Sequence, residues 1–263
     1  MTQSVSAAIA AALLTGEPRD KVMQVRALAR AWRKGTLAWD WAVPMPDRPA
    51  VPPGLQLLPP GQMPRRRKGG SEATRVALWH SLAHIEFMAI DLALDAAGRF
   101  GEAQGPDFVS DFLAVAADEA MHWSLIARKL RTLDSHYAAL PAHDGLWEAA
   151  DATKGDVAAR LAVVPMVLEA RGLDVTPAAR DRIRASGDEG GARILQRILD
   201  DEIRHVAVGA KHFAQVAQRR GESYENYWEM LVRQHFHGTL KPPFNDSARQ
   251  AAGLPRRVYV ALA

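Results

Sequence analysis

Cysteine is absent from the 263-residue sequence. The chain therefore forms no disulfide bond and offers no thiolate ligand, which excludes zinc ribbons and iron–sulfur centres. Any transition metal would have to bind His, Asp or Glu side chains. Also missing are an apolar run of the roughly 18 residues that a membrane span needs and a basic segment ahead of the alanine-rich N-terminus. These absences predict a cytoplasmic protein with no membrane partner.

Signals for several other classes of protein are missing as well. The sequence has neither a glycine-rich phosphate-binding loop nor a nucleophile elbow. Charge of one sign is not in large excess, because 33 Lys and Arg residues face 30 Asp and Glu residues. The basic run Arg65–Lys68 can attract phosphate, but a solvated loop is the commoner role of so short a run. Nucleic acid is therefore not an expected partner.

Helical periodicity is what the sequence does contain, and it predicts an all-α protein. Proline is dense between residues 43 and 70, where it disfavours helix. We expect an extended connector there, because the leucines of this stretch are unsuited to a solvated tether. The predicted helices cover residues 5–14, 19–34, 72–98, 107–133, 155–172, 188–219 and 222–236.

Four of these helices are long, and together they predict a four-helix bundle over residues 71–240. Residues 1–70 are expected to form an N-terminal extension of two short helices and the connector, packing on the bundle. Residues 241–263 are expected to form a C-terminal tail, since Pro242 and Pro243 interrupt helix near its start. Another proline, Pro165, lies inside the third long helix and predicts a kink or loosening there.

One short motif, Asp-Glu-x-x-His, occurs once in the second long helix and once in the fourth. Positions i and i+3 of a helix lie one turn apart on the same face, so the Glu and the His of each copy can bind the same ion. The residues are Glu119 and His122 in the first copy and Glu202 and His205 in the second. A single copy would more often be a solvated face, and the repetition is what favours a site.

An acid in each of the other two long helices extends the repeat. Glu86 precedes Glu119 by 33 residues, and Glu169 precedes Glu202 by the same 33 residues. All three positions of the first set therefore recur 83 residues later, which indicates an internal duplication. Because Glu86 shares its helix stripe with apolar residues, and four carboxylates in an apolar interior need a cation, the pattern predicts metal. The predicted ligands are Glu86, Glu119, His122, Glu169, Glu202 and His205.

Each motif begins with an aspartate that has a further predicted role. Asp118 precedes His122 by four residues, and Asp201 precedes His205 by four. A carboxylate on the same helix face can accept the imidazole N–H that does not face the metal, and thereby fix the tautomer. The alternative for both aspartates is an ordinary solvent-facing side chain.

His84 is the other histidine near a predicted ligand. It lies two residues from Glu86, about 200° around the helix, so the two side chains are not expected to reach the same centre. Local distortion of the helix would be needed to bring His84 to the metal. A packing role beneath the proline-rich connector is the expected one, and contact with the site stays an alternative.

The order Glu, Glu-x-x-His, Glu, Glu-x-x-His resembles the ferritin-like di-iron carboxylate superfamily. The chain also resembles one narrower bacterial family, the DUF455 ferritin-like proteins of unknown function. That likeness lies in His84–Glu86, Pro141–Trp147, Glu169–Asp174, Asp201–His205 and Lys241–Asn245. The resemblance implies a ferritin-like bundle with two iron ions, or with manganese or a mixed Mn/Fe pair.

The same resemblance implies an activity. It implies an oxidase or monooxygenase that uses dioxygen to oxidise a small molecule, with electrons from a partner protein. Small and apolar residues around the ligands, including Ala83, Ile90 and Met166, predict an apolar chamber beside the metals. Glu119 and Glu202 would bridge the ions, and the other four ligands would bind terminally. The alternatives are a non-enzymatic iron-binding or iron-storage protein and a scaffold with a structural metal. Hydroxylases that modify tRNA share the ligand pattern, so tRNA is not excluded as a substrate.

Overall fold

Helices make up most of the chain in the computed structural model, which describes residues 3–64 and 71–263. No strand is found within those ranges, and the all-α prediction is confirmed. The basic run Arg65–Lys68 lies outside the described residues. The helices are α1 (Val5–Leu13), α2 (Pro18–Arg33), α3 (Glu72–Gln104), α4 (Pro106–Arg131), α5 (Gly145–Ala152), α6 (Val157–Val163), α7 (Ala170–Ala185), α8 (Glu189–Arg220), α9 (Tyr224–His235), α10 (Asp246–Ala251) and α11 (Arg256–Tyr259).

The contacts divide the chain into two units, Met1–Trp147 and Glu148–Ala263. The predicted division after residues 70 and 240 stays a prediction. Of the helices in the described part of the chain, none has both the length and the apolarity that crossing a bilayer requires.

Helices α3 and α4 are the long pair of the first unit, with α1 packed on α3 and α2 on α4. The Oγ of Ser71 caps α3 by accepting the Thr74 N–H at 3.3 Å. Helix α3 was predicted to end at Gly98, but it continues to Gln104. Glycine is present at this position because of close packing, since a Cβ at Gly98 would lie 2.2 Å from the Sδ of Met45 in the connector. Gly98 therefore lets the connector approach the helix and does not end it.

Backbone hydrogen bonds fix the connector within the first unit. The Ala50 N–H donates to the Leu13 carbonyl at 2.9 Å, and the Leu58 N–H donates to the Ala142 carbonyl at 2.8 Å. The guanidinium of Arg99, on α3, donates to the Pro46 carbonyl at 2.9 Å. Each contact satisfies a backbone group that would otherwise need water. The connector is thus an ordered extended segment.

A buried histidine holds the turn that follows α4. The Nε2 of His80 accepts the N–H groups of Ala138 at 3.1 Å and of Leu140 at 3.3 Å. Ala138 has a φ of +76°, which is unfavourable for a residue with a side chain. Burial, together with the nearby His84 and His136, lowers the pKa of His80 to about 4. The neutral imidazole is therefore the form that stabilises the turn.

This arrangement predicts a loss of stability in acid that depends on His80. The folded-state pKa of about 4 lies below the ordinary 6.5, so the stability contribution is present above pH 6.5 and declines as the pH falls toward 4. Between pH 7 and pH 5 the decline should be about 2 kcal/mol. In a His80→Gln variant the amide oxygen can accept both N–H groups without titrating, so the decline should shrink. Urea unfolding of the wild type and the variant at pH 7 and pH 5, with chelator present, measures the free energy of unfolding. An equal decline in both proteins would contradict the role of His80.

The second unit is built on α6, α7 and α8, with α9 packed on α6. A π-helical segment, Val164–Glu169, joins α6 to α7, as Pro165 predicted. The predicted end near Gly172 is wrong, because Gly172 stays helical and the chain turns only at Gly187, which has a φ of +86°. A left-handed φ of this kind favours glycine after a helix.

Residues 236–263 hold two short helices, α10 and α11, and an ion pair anchors them to α7. Both oxygens of Asp174 accept from Arg249, at 2.9 and 2.7 Å, and both side chains are buried. The backbone N–H of Asn245 also donates to Asp174, at 3.0 Å. The Arg249 guanidinium lies 4.5 Å from the ring centre of Tyr259 and 5.1 Å from that of Phe244. The tail is therefore a packed part of the second unit.

Candidate metal centre

Three of the predicted ligands meet inside the first unit. Glu86 comes from α3, and Glu119 and His122 come from α4. The Nδ1 of His122 lies 3.1 Å from an Oε2 of Glu86 and 3.2 Å from an Oε2 of Glu119. A ligand atom of each residue lies within 4.8 Å of the ligand atoms of the other two. Helical spacing therefore pairs Glu119 with His122, and the packing of α3 against α4 brings Glu86 to them.

Their surroundings are apolar. Glu119 and His122 have no exposed surface, and Glu86 is 4% exposed. Nearby positions on the two helices are filled by buried Ala83, Ile90 and other apolar residues. A carboxylate in such surroundings is destabilised unless a counter-charge meets it. Two carboxylates within reach of one imidazole therefore form a cluster whose electrostatics favour a bound cation.

The geometry of the imidazole supports the same conclusion. Oxygens from two carboxylates approach one ring nitrogen, the Nδ1 of His122. A single Nδ1–H cannot point well at both oxygens, whereas one cation can be bound by the nitrogen lone pair and by both carboxylates. This buried group of two glutamates and a histidine can hold a metal ion. Nitrogen and oxygen ligands of these types suit iron, manganese and zinc.

The second unit carries the repeat of this ligand set. Glu202 and His205 are buried on α8, with the His205 Nδ1 at 3.7 Å from an Oε2 of Glu202. Glu169 is half-buried at the last position of the π-helical segment. The structure thus places the Glu-x-x-His pair on one face, as the spacing predicted. The complete set of six ligands stays a prediction.

The π-helical segment before Glu169 has a structural cause. Pro165 has no N–H to donate and crowds the preceding turn. Opposite it on α8 is Gly209, where a Cβ would lie 2.4 Å from the Pro165 ring. The absence of a side chain at Gly209 therefore leaves the space that the Pro165 ring occupies. Segments of this kind are frequent at functional sites, because they change the direction of the side chains that follow.

The two motif aspartates have different surroundings. Asp201 is buried and accepts from two arginines of its own helix, Arg197 at 2.5 Å and Arg204. Asp118 is partly exposed on α4. The predicted bonds from these aspartates to His205 and His122 stay predictions. Arg197 and Arg204 are exposed, so the buried Asp201 carboxylate is bound by side chains that reach it from the surface of α8.

His84 has partners other than the ligands. Its Nε2–H donates to the carbonyl of His143 at 3.0 Å, and its Nδ1 accepts from the Tyr137 hydroxyl at 2.9 Å. Both ring nitrogens are therefore used, and the expected packing role is the one observed. Burial lowers the pKa of His84, consistent with a neutral ring.

Sequence reasoning missed the polar and aromatic groups beside the cluster. Lys21 of α2 forms a buried ion pair with Asp91 of α3. The rings of Phe87, Trp123 and Tyr137 contact one another at centroid distances of 5.2 to 6.0 Å. The available signal was the run of apolar residues on both sides of Asp91, which implies that this acid is buried and needs a partner.

Two cavities lie in the first unit near these groups. One is small and lined by Phe87, Asp91 and residues of the connector. The other measures about 290 Å³ and is lined by Trp123 and Tyr137 among others. Neither cavity is lined by a predicted ligand, although Phe87 and Trp123 directly follow Glu86 and His122. The apolar chamber touching the metals stays a prediction.

Comparison with known proteins places the chain among uncharacterised relatives. A family model described as "Protein of unknown function (DUF455)" matches residues 14–260. An uncharacterised protein of Haemophilus influenzae is 40% identical over 217 residues, which cover 80% of this chain and 75% of the relative. No solved structure matches the chain.

Proposed function

We propose that this chain, which belongs to the DUF455 family, is a ferritin-like di-metal carboxylate protein. The observation that carries the proposal is the buried meeting of Glu86, Glu119 and His122. The recurrence of the same three residue types 83 positions later supports a second ion. The two ions would be held by Glu86, Glu119, His122, Glu169, Glu202 and His205.

Iron is the metal that we propose, with manganese or a mixed Mn/Fe pair as the other occupants of such a site. Carboxylates and imidazole suit these ions, and flexible carboxylate binding leaves room for dioxygen. When bound, the metal would supply the electrons and the oxygen chemistry of an oxidation. The reaction proposed is the oxidation of a small molecule by dioxygen in the cytoplasm, with a partner protein returning electrons.

The side chains of the chain itself would have two tasks. Glu86 and Glu119 would neutralise the charge of the metal, and His122 would complete the ligand set of that unit. The apolar residues around them, including buried Ala83 and Ile90, would exclude water. Exclusion of water strengthens the electrostatic interactions inside the site.

Oxygen consumption tests the proposal against the storage alternative. Metal-free protein is loaded anaerobically with Fe(II), and iron per chain is measured before the solution is mixed with oxygenated buffer. Because one metal pair supplies two electrons, uptake should stop at about one dioxygen per pair without added reductant. A His122→Ala variant should hold less iron and take up less oxygen.

Two results would contradict the proposed enzyme. Continued uptake with tens of irons retained per chain would support iron storage. Tight binding of iron without any reaction with oxygen would support a structural metal.

A further inference from the structure

The 290 Å³ cavity of the first unit has the features of a ligand-binding site that the metal ligands do not explain. It lies where the start of α2, the last turns of α4 and the turn after α4 come together. Its volume is at the small end of the range for pockets that bind small molecules. One or two fused rings with a short substituent would fill it.

The charged groups of its wall are predominantly basic. Arg19 and Arg131 line the cavity together with one carboxylate, Glu17, and with His136. Neither arginine forms an ion pair with any residue in the ranges 3–64 and 71–263. The two arginines and the one carboxylate therefore give the wall a net positive charge of about one. Such a wall favours an anion that can accept from guanidinium groups.

The other side of the wall is aromatic. Trp123 and Tyr137 line the cavity, with their rings nearly perpendicular and 6.0 Å apart. Both residues are mostly buried. Aromatic side chains favour packing against another flat ring. This side of the wall therefore suits the ring of a ligand.

From these features we propose that the cavity binds a small aromatic carboxylate. The flat ring packs on Trp123 and Tyr137, and the carboxylate accepts from Arg19 and Arg131. This inference goes beyond the proposed oxidation and does not depend on a bound metal. It also gives a role to Arg19 and Arg131, which form no ion pair with the described residues.

Calorimetric titration with three matched probes tests the proposal. Indole-3-acetate carries both features of the ligand, 3-methylindole lacks the carboxylate, and acetate lacks the ring. The full chain is titrated with chelator present, so that the result is independent of the metal centre. Indole-3-acetate should bind at least about tenfold more tightly than either other probe, because charge-assisted hydrogen bonds and ring packing both contribute. Added salt should weaken its binding.

Variants assign the binding to the cavity. Arg19→Gln and Arg131→Gln should each weaken binding of indole-3-acetate several-fold, and Trp123→Phe should weaken it while keeping a ring in place. Arg128→Gln is the matched control, because Arg128 is an exposed arginine of α4 that does not line the cavity. Melting curves confirm that each variant is folded.

Several outcomes would overturn the proposal. They are the absence of binding by indole-3-acetate, equal binding by 3-methylindole, and equal loss in Arg128→Gln and Arg131→Gln. Inorganic phosphate that binds as tightly as indole-3-acetate would show a general anion site and would also overturn it. Failure to bind iron would contradict only the proposed metal centre, so the two proposals fail separately.

Discussion

Mn(II) added to chelator-treated protein is expected to raise the melting temperature by several degrees, and replacement of Glu119 by Ala should abolish most of that increase. In the metal-free protein, two carboxylates and an imidazole face one another in an apolar interior. A cation that binds the folded chain stabilises it by mass action, by about 2.7 kcal/mol at 100 times the dissociation constant. For a chain of this length that corresponds to roughly 5–10 °C.

The quantity to compare between variants is the increase in melting temperature caused by Mn(II). The melting temperature itself is unsuitable, because removal of a buried charge also changes the stability of the metal-free protein. Glu102→Ala is the matched control, because Glu102 lies exposed on α3, away from the cluster. His237→Ala, which removes an exposed imidazole, controls for surface binding of the metal. Both controls should keep the full increase. A wild-type melting temperature that is indifferent to Mn(II) and to anaerobic Fe(II) would contradict a metal site.

The part of this site that could be predicted from sequence is the part set by helical geometry. Spacing of three residues fixed the relation of Glu119 to His122, because both lie on one helix. Apolar periodicity placed Glu86 on the buried face of α3, and its burial is observed. These inferences succeed because a helix converts sequence separation directly into direction.

Glycine shows where such inference fails. Gly98 and Gly172 both looked like helix ends, yet each lies inside a longer helix. Gly98 is needed because Met45 of the connector packs against it, a contact 53 residues distant in sequence. Gly172 faces open space, and nothing in the structure explains it. A glycine can end a helix or permit close packing, and only the tertiary structure distinguishes these roles.

Buried polar partners could not be predicted for a similar reason. Lys21 and Asp91 are 70 residues apart, and Asp174 and Arg249 are 75 apart. The apolar run around Asp91 indicates that this acid is buried, but it does not identify Lys21 as the partner. Burial of each charge becomes favourable only when its partner is present, and no local pattern reveals which residue that is.

Replacement of Lys21 by Met, which breaks the Lys21–Asp91 pair, is expected to lower the free energy of unfolding by about 3–5 kcal/mol at neutral pH. Both side chains are essentially inaccessible to solvent. The Nζ of Lys21 bonds one oxygen of Asp91, while the other oxygen has no hydrogen-bond donor in the described part of the chain. Without the lysine, Asp91 would remain buried without its counter-charge, and at neutral pH either the ionised carboxylate or its forced protonation costs stability. Urea unfolding with chelator present measures the loss.

The loss should depend on pH in a defined direction. Burial raises the pKa of Asp91 from 3.8 to about 6 although Lys21 lowers it, so removing Lys21 should raise it further. An acid whose folded-state pKa is raised contributes stability below its ordinary pKa, and that contribution is lost as the pH rises through the folded-state value. Lys21→Met should therefore be less destabilising at pH 4.5, where Asp91 is protonated, than at pH 8.

Two further variants separate the buried charge from the lost packing of the lysine stem. Lys154→Met removes the lysine of an exposed pair with Asp151, so it should cost less than about 1 kcal/mol. Lys21→Met combined with Asp91→Leu replaces both charges by apolar groups of similar size, and it should recover most of the stability lost in the single variant. If the double variant is as unstable as Lys21→Met at pH 8, the loss comes from packing. If it recovers, the unpaired carboxylate is the cause, and the lysine is retained in the core because Asp91 is there.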